Sequence, residues 1–99
     1  MITVLSVRRP APEVLEIRYP EDGVTVGRTL ELNAYGYWRT PIEWFEDVTS
    51  VAAWKSSNSK IATVSSSGVV MGRAPGKVII SASVDGLRED VSVVVSGAR

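Results

Sequence analysis

WKSSNSKIATVSSSGVVMGRAPG, residues 54–76, decides the fold of this chain. Short runs of apolar and β-branched residues alternate here with turns made of serine, asparagine, glycine and proline. Such runs are too short for helices and fit strands of a few residues. The stretch therefore predicts a meander of short antiparallel strands, with Trp54 as the central aromatic side chain of the core.

The alternating pattern continues toward the C-terminus. Every second residue from Val78 to Val84 is apolar, and the valines of residues 91–95 repeat this pattern. Asp85-Gly86 stands between the two segments, and this dipeptide favours a two-residue turn with positive φ at both positions. We therefore predict a β-hairpin that ends the domain.

The pattern also extends toward the N-terminus. Leu15 and Ile17 share one face of a predicted strand, and Leu30 and Leu32 share one face of the next. Gly27 between them predicts a bulge or kink where the chain changes sheets. No segment has helical periodicity, so about seven strands with frequent turns predict an all-β, antiparallel Greek-key sandwich. The residues predicted for its core are Trp54, Leu30, Leu32, Val64, Val70, Ile80 and Val93.

The ends of the chain differ from this pattern. Residues 1–13 contain a weakly alternating run, Ile2–Val7, followed by RRPAP, whose prolines favour an extended linker. Ile2–Val7 is either the last strand of a preceding module or an extra edge strand of this one. An unpaired edge strand of this kind would favour self-association. The sandwich is expected to occupy residues 14–96, and residues 97–99 leave it as a C-terminal exit.

The composition argues against several functions. Eleven Lys and Arg balance eleven Asp and Glu, so no net positive charge attracts nucleic acid or an anionic membrane. The chain has no cysteine and no histidine, which removes thiolate chemistry and the commonest acid–base side chain. No apolar run approaches the ~20 residues of a membrane span, and Arg8-Arg9 follows apolar residues where a signal peptide has charges first. We expect no enzyme activity, no cofactor, no nucleic-acid partner and no membrane insertion.

The acidic residues near position 47 have a structural explanation. Asp47 and Thr49, in Asp-Val-Thr, are predicted to hydrogen-bond nearby backbone N–H groups and to fix a turn. Glu46 and Asp47 would point to opposite faces of a strand, which argues against a catalytic carboxylate pair. No calcium-loop spacing is present, so no metal site is predicted.

Aromatic residues are concentrated between positions 35 and 45, where five of the seven in the chain occur and the alternation breaks. One interpretation is a satellite core that covers one end of the sandwich. Another is a binding platform, because aromatic rings stack on sugars and supply stiff contact area for proteins. A contact with another subunit is a third interpretation. The candidate ligand-binding residues in this predicted loop are Tyr35, Tyr37, Trp38, Arg39, Trp44 and Phe45.

The order and spacing of these segments resemble the group 2 bacterial immunoglobulin-like (Big) domains. The resemblance covers about residues 15–95. It rests on residues 26–32, on Asp47-Val48-Thr49 ahead of Trp54-Lys55-Ser56-Ser57-Asn58, on Ile61-Ala62-Thr63-Val64, on Gly68-Val69-Val70, on Gly76, on Ile80-Ser81-Ala82 and on Gly86 before a valine-rich strand. One difference from many members is the aromatic segment from Tyr37 to Phe45, which replaces a short polar loop.

The resemblance implies an Ig-like β-sandwich without a catalytic site. Such domains are spacers or adhesive modules, often in tandem, in bacterial surface proteins of the intimin and invasin type, secreted polysaccharide-active enzymes and phage virion proteins. The expected location is therefore extracellular, at the cell surface or in a virion. The expected partners are a cell-surface glycan or protein and neighbouring Ig-like modules, and the aromatic segment raises carbohydrate binding as the alternative function.

Overall fold

Short β-strands make up the regular structure of residues 11–20, 23–39 and 43–97, which are the residues that the computed structural model describes. No helix occurs in these ranges, and so none that could cross a membrane. The all-β prediction is confirmed, although the strands are more numerous than the approximately seven expected. They are β1 (Val14–Arg18), β2 (Gly23–Thr25), β3 (Thr29–Glu31), β4 (Asn33–Trp38), β5 (Trp44–Asp47), β6 (Ala53–Ser56), β7 (Ala62–Val64), β8 (Val69–Gly72), β9 (Gly76–Val84) and β10 (Leu87–Ser96).

The strands form a four-stranded sheet, β2-β10-β9-β6, and two three-stranded sheets, β1-β4-β5 and β3-β8-β7. The two smaller sheets are connected through β3 and β4, because only Leu32 separates these two strands. Six of the seven strand pairings in the described residues are antiparallel. The exception is β2, which runs parallel to β10 with Val24 opposite Val95. It arises because the chain crosses from the β4 sheet to the β10 sheet between β1 and β2.

The core lies between the apolar faces of these sheets. Inward residues alternate along β9 and β10 as predicted, and the β-branched side chains there fill the interior. Among the residues predicted for the core, Leu30, Leu32, Val70, Ile80 and Val93 are buried. Val64 is half-buried and packs against this cluster.

The prediction that Trp54 is the central aromatic of the core is wrong, because Trp38 has that role. Trp38 is only 2% exposed and is the largest fully buried side chain. Trp54 is half-buried at the margin of the core, where its indole N–H donates to the Thr49 carbonyl at 2.9 Å. The physical reason is the position of β6, which is an edge strand and gives Trp54 a neighbouring strand on one side only.

The hairpin turn predicted at Asp85-Gly86 and the change of sheet predicted at Gly27 are confirmed. Asp85 and Gly86 have φ values of 49° and 88°, and Leu87 pairs with Val84 to form the β9–β10 hairpin. Gly27 has a φ of 86° and lies between β2 and β3, which belong to different sheets. Both positions therefore carry the backbone freedom that the sequence indicated.

The predicted strand Ile2–Val7 and the first residues of the linker lie outside the described residues, as do residues 98–99. Pro12 is buried, and the Glu13 N–H donates to the Tyr37 carbonyl at 2.8 Å. The chain thus joins the sheet one residue before β1 begins.

Candidate functional site

The aromatic segment forms a β-hairpin where the sequence predicted an irregular loop. Strand β4 continues to Trp38, and β5 returns beside it, with Tyr37 opposite Phe45 and Trp38 opposite Trp44. The alternation in fact persists, since Ala34, Gly36 and Trp38 are buried while the two tyrosines between them face outward. A glycine at a core position concealed this signal, because glycine has no side chain to count as apolar.

The inner face of the hairpin carries a stacked tryptophan pair. The rings of Trp38 and Trp44 are 5.0 Å apart and only 4° from parallel. The six-membered ring of Trp38 also lies over Gly36, where an added Cβ would be 3.0 Å from its Cη2 atom. Trp38, predicted as a ligand contact, is therefore a core residue, and Trp44, which is 36% exposed, carries the accessible ring.

The outer face of the hairpin carries a second aromatic cluster. Phe45 stacks against Tyr37 with ring centres 5.8 Å apart and meets Tyr35 edge-on at 6.2 Å. The Arg18 guanidinium lies 4.7 Å from the centre of the Tyr35 ring, close enough for a cation–π contact. Phe45 is 60% exposed, so it is the most accessible ring of this face.

A polar network fixes the Tyr37 ring from the neighbouring strand. The Tyr37 hydroxyl donates to Glu16 Oε1, and Arg18 Nη2 donates to the Tyr37 oxygen, each at 2.5 Å. Sequence reasoning missed Glu16 and Arg18, because only the β1–β4 register brings them beside the aromatic residues. Their alternation on the polar face of β1 was the available signal.

An open groove of about 690 Å³ lies beside the hairpin. The rings of Tyr37, Trp44 and Phe45 line it together with Val14 of β1, and Trp38 borders it. Its charged groups are Glu16, Arg39, Glu43 and Glu89. The structure therefore brings the predicted residues Tyr37, Arg39, Trp44 and Phe45 to one groove, while Tyr35 lies outside its lining. Among the described residues no cluster of acidic side chains could hold a metal ion.

The family of the chain follows from comparison with known proteins. The sequence model of the bacterial Ig-like domain (group 2) matches residues 16–95, which is most of the chain. The chain belongs to the group 2 bacterial Ig-like domains. The predicted family and Ig-like fold are thereby confirmed. Domains of this family are generally non-enzymatic structural or adhesion modules of extracellular and surface proteins.

One curated relative is Ice-binding protein 1 of Shewanella frigidimarina (strain NCIMB 400). It is 44% identical to this Ig-like domain over 57 residues. The matched part is 58% of this chain but only 6% of that protein. The similarity thus concerns one small part of a much larger polypeptide.

The Asp-Val-Thr element of this Ig-like domain makes the local hydrogen bond predicted for Asp47, whereas the predicted bond of the Thr49 side chain goes to a distant backbone N–H group. Asp47 Oδ1 accepts from the Thr49 N–H at 2.9 Å and from the Thr49 hydroxyl at 2.5 Å. The Ala34 N–H donates to Thr49 Oγ1 at 2.9 Å, which ties the turn to β4. This element therefore fixes the exit of β5 and holds the hairpin against the core.

The Glu16–Tyr37 hydrogen bond gives the stability of the hairpin a pH dependence. It lowers the pKa of Glu16 from the ordinary 4.5, helped by the nearby Arg18 charge, and raises the pKa of Tyr37 above 10.0. Because the Glu16 pKa is depressed on folding, the stabilisation is complete above pH 4.5 and is lost as the pH falls through the lowered value. Because the Tyr37 pKa is raised, the stabilisation is also lost at strongly alkaline pH.

We expect Glu16→Gln and Tyr37→Phe each to lower the free energy of unfolding slightly at neutral pH, and to lower it less as the pH falls and Glu16 becomes protonated. The effect is small because solvent screens these half-exposed groups. Urea unfolding of both variants and the wild type from pH 3 to pH 7 measures it. If the free energy of unfolding changed with pH in the same way for the wild type and for Tyr37→Phe, the Glu16–Tyr37 hydrogen bond would make no pH-dependent contribution to stability.

Proposed function

We propose that this Ig-like domain is a non-catalytic spacer in a bacterial surface, secreted or phage virion protein. In this role it keeps neighbouring parts of the polypeptide apart and carries tension between them. The proposal rests mainly on one observation: the chain enters the sandwich at one end and leaves it at the other.

The position of the two ends follows from the contacts of the described residues. Ala11 and Pro12 border the same surface hollow as Val84 and Asp85, at the β9–β10 turn. At the opposite end of β10, a Cβ on Gly97 would be 3.7 Å from the Pro75 ring. Strand β10 connects the two ends with ten residues, or about 30 Å at the usual rise of an extended chain. The domain therefore separates its neighbours by about its full length.

The β2–β10 pairing suits a domain under tension. These strands are parallel from Gly23 opposite Val94 onward, and the Val26 N–H extends the pairing to the Ser96 carbonyl at 2.9 Å. Tension pulls the N-terminal strands toward the β9–β10 turn and β10 toward its own C-terminal end. The β2–β10 hydrogen bonds are then sheared together, which requires more force than breaking them one at a time.

Comparison with the relative supports the same role. In Ice-binding protein 1 the matched part is a small fraction of the whole protein. We infer that the shared part is a structural module and that ice binding does not transfer to this chain with it. The groove supports a separate proposal, made below.

We expect Val26→Pro to lower the force at which the domain unfolds when it is pulled through its N- and C-terminal ends. The substitution removes the N–H that donates to the Ser96 carbonyl. The loss of this hydrogen bond lowers the free energy of unfolding by about 1 kcal/mol. Single-molecule pulling on a chain of identical domains measures the unfolding force.

Ile80→Val is the matched control. It also lowers the free energy of unfolding by about 1 kcal/mol, but it does so by removing a buried methylene rather than a hydrogen bond of the β2–β10 pairing. Ile80 lies on β9, and its truncation leaves the β2–β10 bonds intact. The spacer proposal predicts a larger fall in force for Val26→Pro than for Ile80→Val at similar equilibrium stability. An equal fall in both variants would show that β2–β10 is not the resisting element.

A further inference from the structure

We propose that the groove beside the β4–β5 hairpin binds a neutral polysaccharide. This goes beyond the spacer function, which needs no ligand. The inference rests on three observations. Neighbouring side chains hold the exposed rings in place, charged groups surround these rings, and the groove has the size of a small-ligand site.

The two exposed rings are held rigidly, so little conformational entropy would be lost on binding. Trp44 stacks on Trp38, which the core holds in place. Phe45 stacks on Tyr37, which hydrogen bonds to Glu16 and Arg18 fix. Because β5 is the edge strand of its sheet, the other face of each ring is directed away from β4. These faces are flat, apolar and accessible, as the C–H face of a pyranose ring requires.

The spacing of the rings adds to this argument. Trp44 and Phe45 are consecutive in β5, so their side chains leave the strand on opposite sides. The groove is nevertheless lined by both rings. A chain of several sugar units can contact both rings in succession, whereas a single small molecule stacks on one.

The charged lining favours hydroxyl groups and disfavours anions. Three carboxylates, of Glu16, Glu43 and Glu89, and one guanidinium, of Arg39, border the groove. Carboxylates accept hydrogen bonds from sugar hydroxyls, and the guanidinium donates to them. Arg18 offsets the charge of Glu16, and the one remaining negative charge in excess disfavours uronic acids and sulfated sugars. The ligand that fits both the rings and the charges is therefore an uncharged, hydroxyl-rich chain.

The volume of the groove fits a short stretch of a glycan chain. A volume of about 690 Å³ lies within the range of roughly 300–1,000 Å³ that is usual for small-ligand sites. An extended basic peptide is the alternative occupant that the charges permit, and the experiment separates the two.

The test is titration of the whole chain with neutral oligosaccharides of β-glucan, mannan, xylan, galactan and chitin. Calorimetry measures binding, and the part of any tryptophan fluorescence change that Trp44→Ala removes reports on Trp44. We expect at least one of these glycans to bind. Trp44→Ala and Phe45→Ala should each weaken that binding about tenfold or more, as truncation of a central aromatic contact does. Glu43→Gln should keep the fold and weaken the same binding.

Tyr19→Ala is the matched control, because Tyr19 is an exposed aromatic outside the groove lining. It should leave glycan affinity unchanged, and circular dichroism checks that every variant remains folded. Three results would overturn the proposal: no binding by any glycan of the panel, equal affinity in the wild type and a folded Phe45→Ala or Glu43→Gln variant, or a preference for polygalacturonate or an oligolysine peptide. None of these results bears on the unfolding force, so the spacer function is tested independently.

Discussion

Trp38→Ala should lower the free energy of unfolding by about 3–5 kcal/mol, the usual cost of truncating a large buried aromatic side chain. The indole is 2% exposed, covers Gly36 and stacks in parallel on Trp44. Its removal leaves a cavity and also takes away the support of the exposed Trp44 ring. Domains of this size are stable by only about 5–15 kcal/mol, so this loss is a large part of the total. Urea unfolding followed by circular dichroism measures it.

Trp54→Ala is the control for this prediction, because it removes the same side chain from a half-buried position. It should cost about 1–3 kcal/mol, made up of partial apolar exposure and the lost hydrogen bond to the Thr49 carbonyl. We therefore expect a larger loss of stability for Trp38→Ala than for Trp54→Ala, which is the reverse of what the sequence suggests. A larger loss for Trp54→Ala than for Trp38→Ala would return Trp54 to the centre of the core.

The features that the sequence predicted correctly are those that short segments determine. The β9–β10 turn follows from Asp85-Gly86, the change of sheet follows from Gly27, and the Asp47–Thr49 bonds join residues two positions apart. Each depends on backbone conformations or contacts within a few residues. Alternation likewise identified the buried face of β9 and β10, because side chains of a strand alternate between its faces.

The features that the sequence did not predict depend on which strands become neighbours. Trp38 and Trp54 both occupy inward-facing positions of strands, and only the sheet order shows that Trp54 lies on an edge strand. The groove has the same origin, since Glu16 comes from β1 and Glu89 from β10, far from the aromatic segment in sequence. The aromatic segment therefore indicated a candidate site that includes Arg39 but lacks Glu16 and Glu89.

Gly68→Ala should lower the free energy of unfolding by about 3 kcal/mol, although it adds a single methyl group. Gly68 has a φ of 82°, and an L-residue pays about 1–2 kcal/mol in this region. An added Cβ would also lie 2.7 Å from the Leu32 carbonyl oxygen and 3.0 Å from the Trp54 ring. Because the Leu32 N–H bonds to the Gly68 carbonyl at 2.9 Å, this clash cannot be relieved without loosening β3 from the β7–β8 turn.

Gly27→Ala separates the two parts of this cost. Gly27 has a similar φ of 86°, but an added Cβ there would meet no atom within 4 Å. Both substitutions reduce the freedom of the unfolded chain alike, so this contribution cancels in the comparison. We expect Gly27→Ala to cost about 1–2 kcal/mol and Gly68→Ala about 1–3 kcal/mol more, with urea unfolding as the measurement. Equal costs would mean that Gly68 is required only for its backbone angle. A larger loss of stability for Gly68→Ala would show that the β7–β8 turn, residues 65–68, also fits tightly between Trp54 and Leu32. Through this fit the turn joins the edge strand β6 to the core.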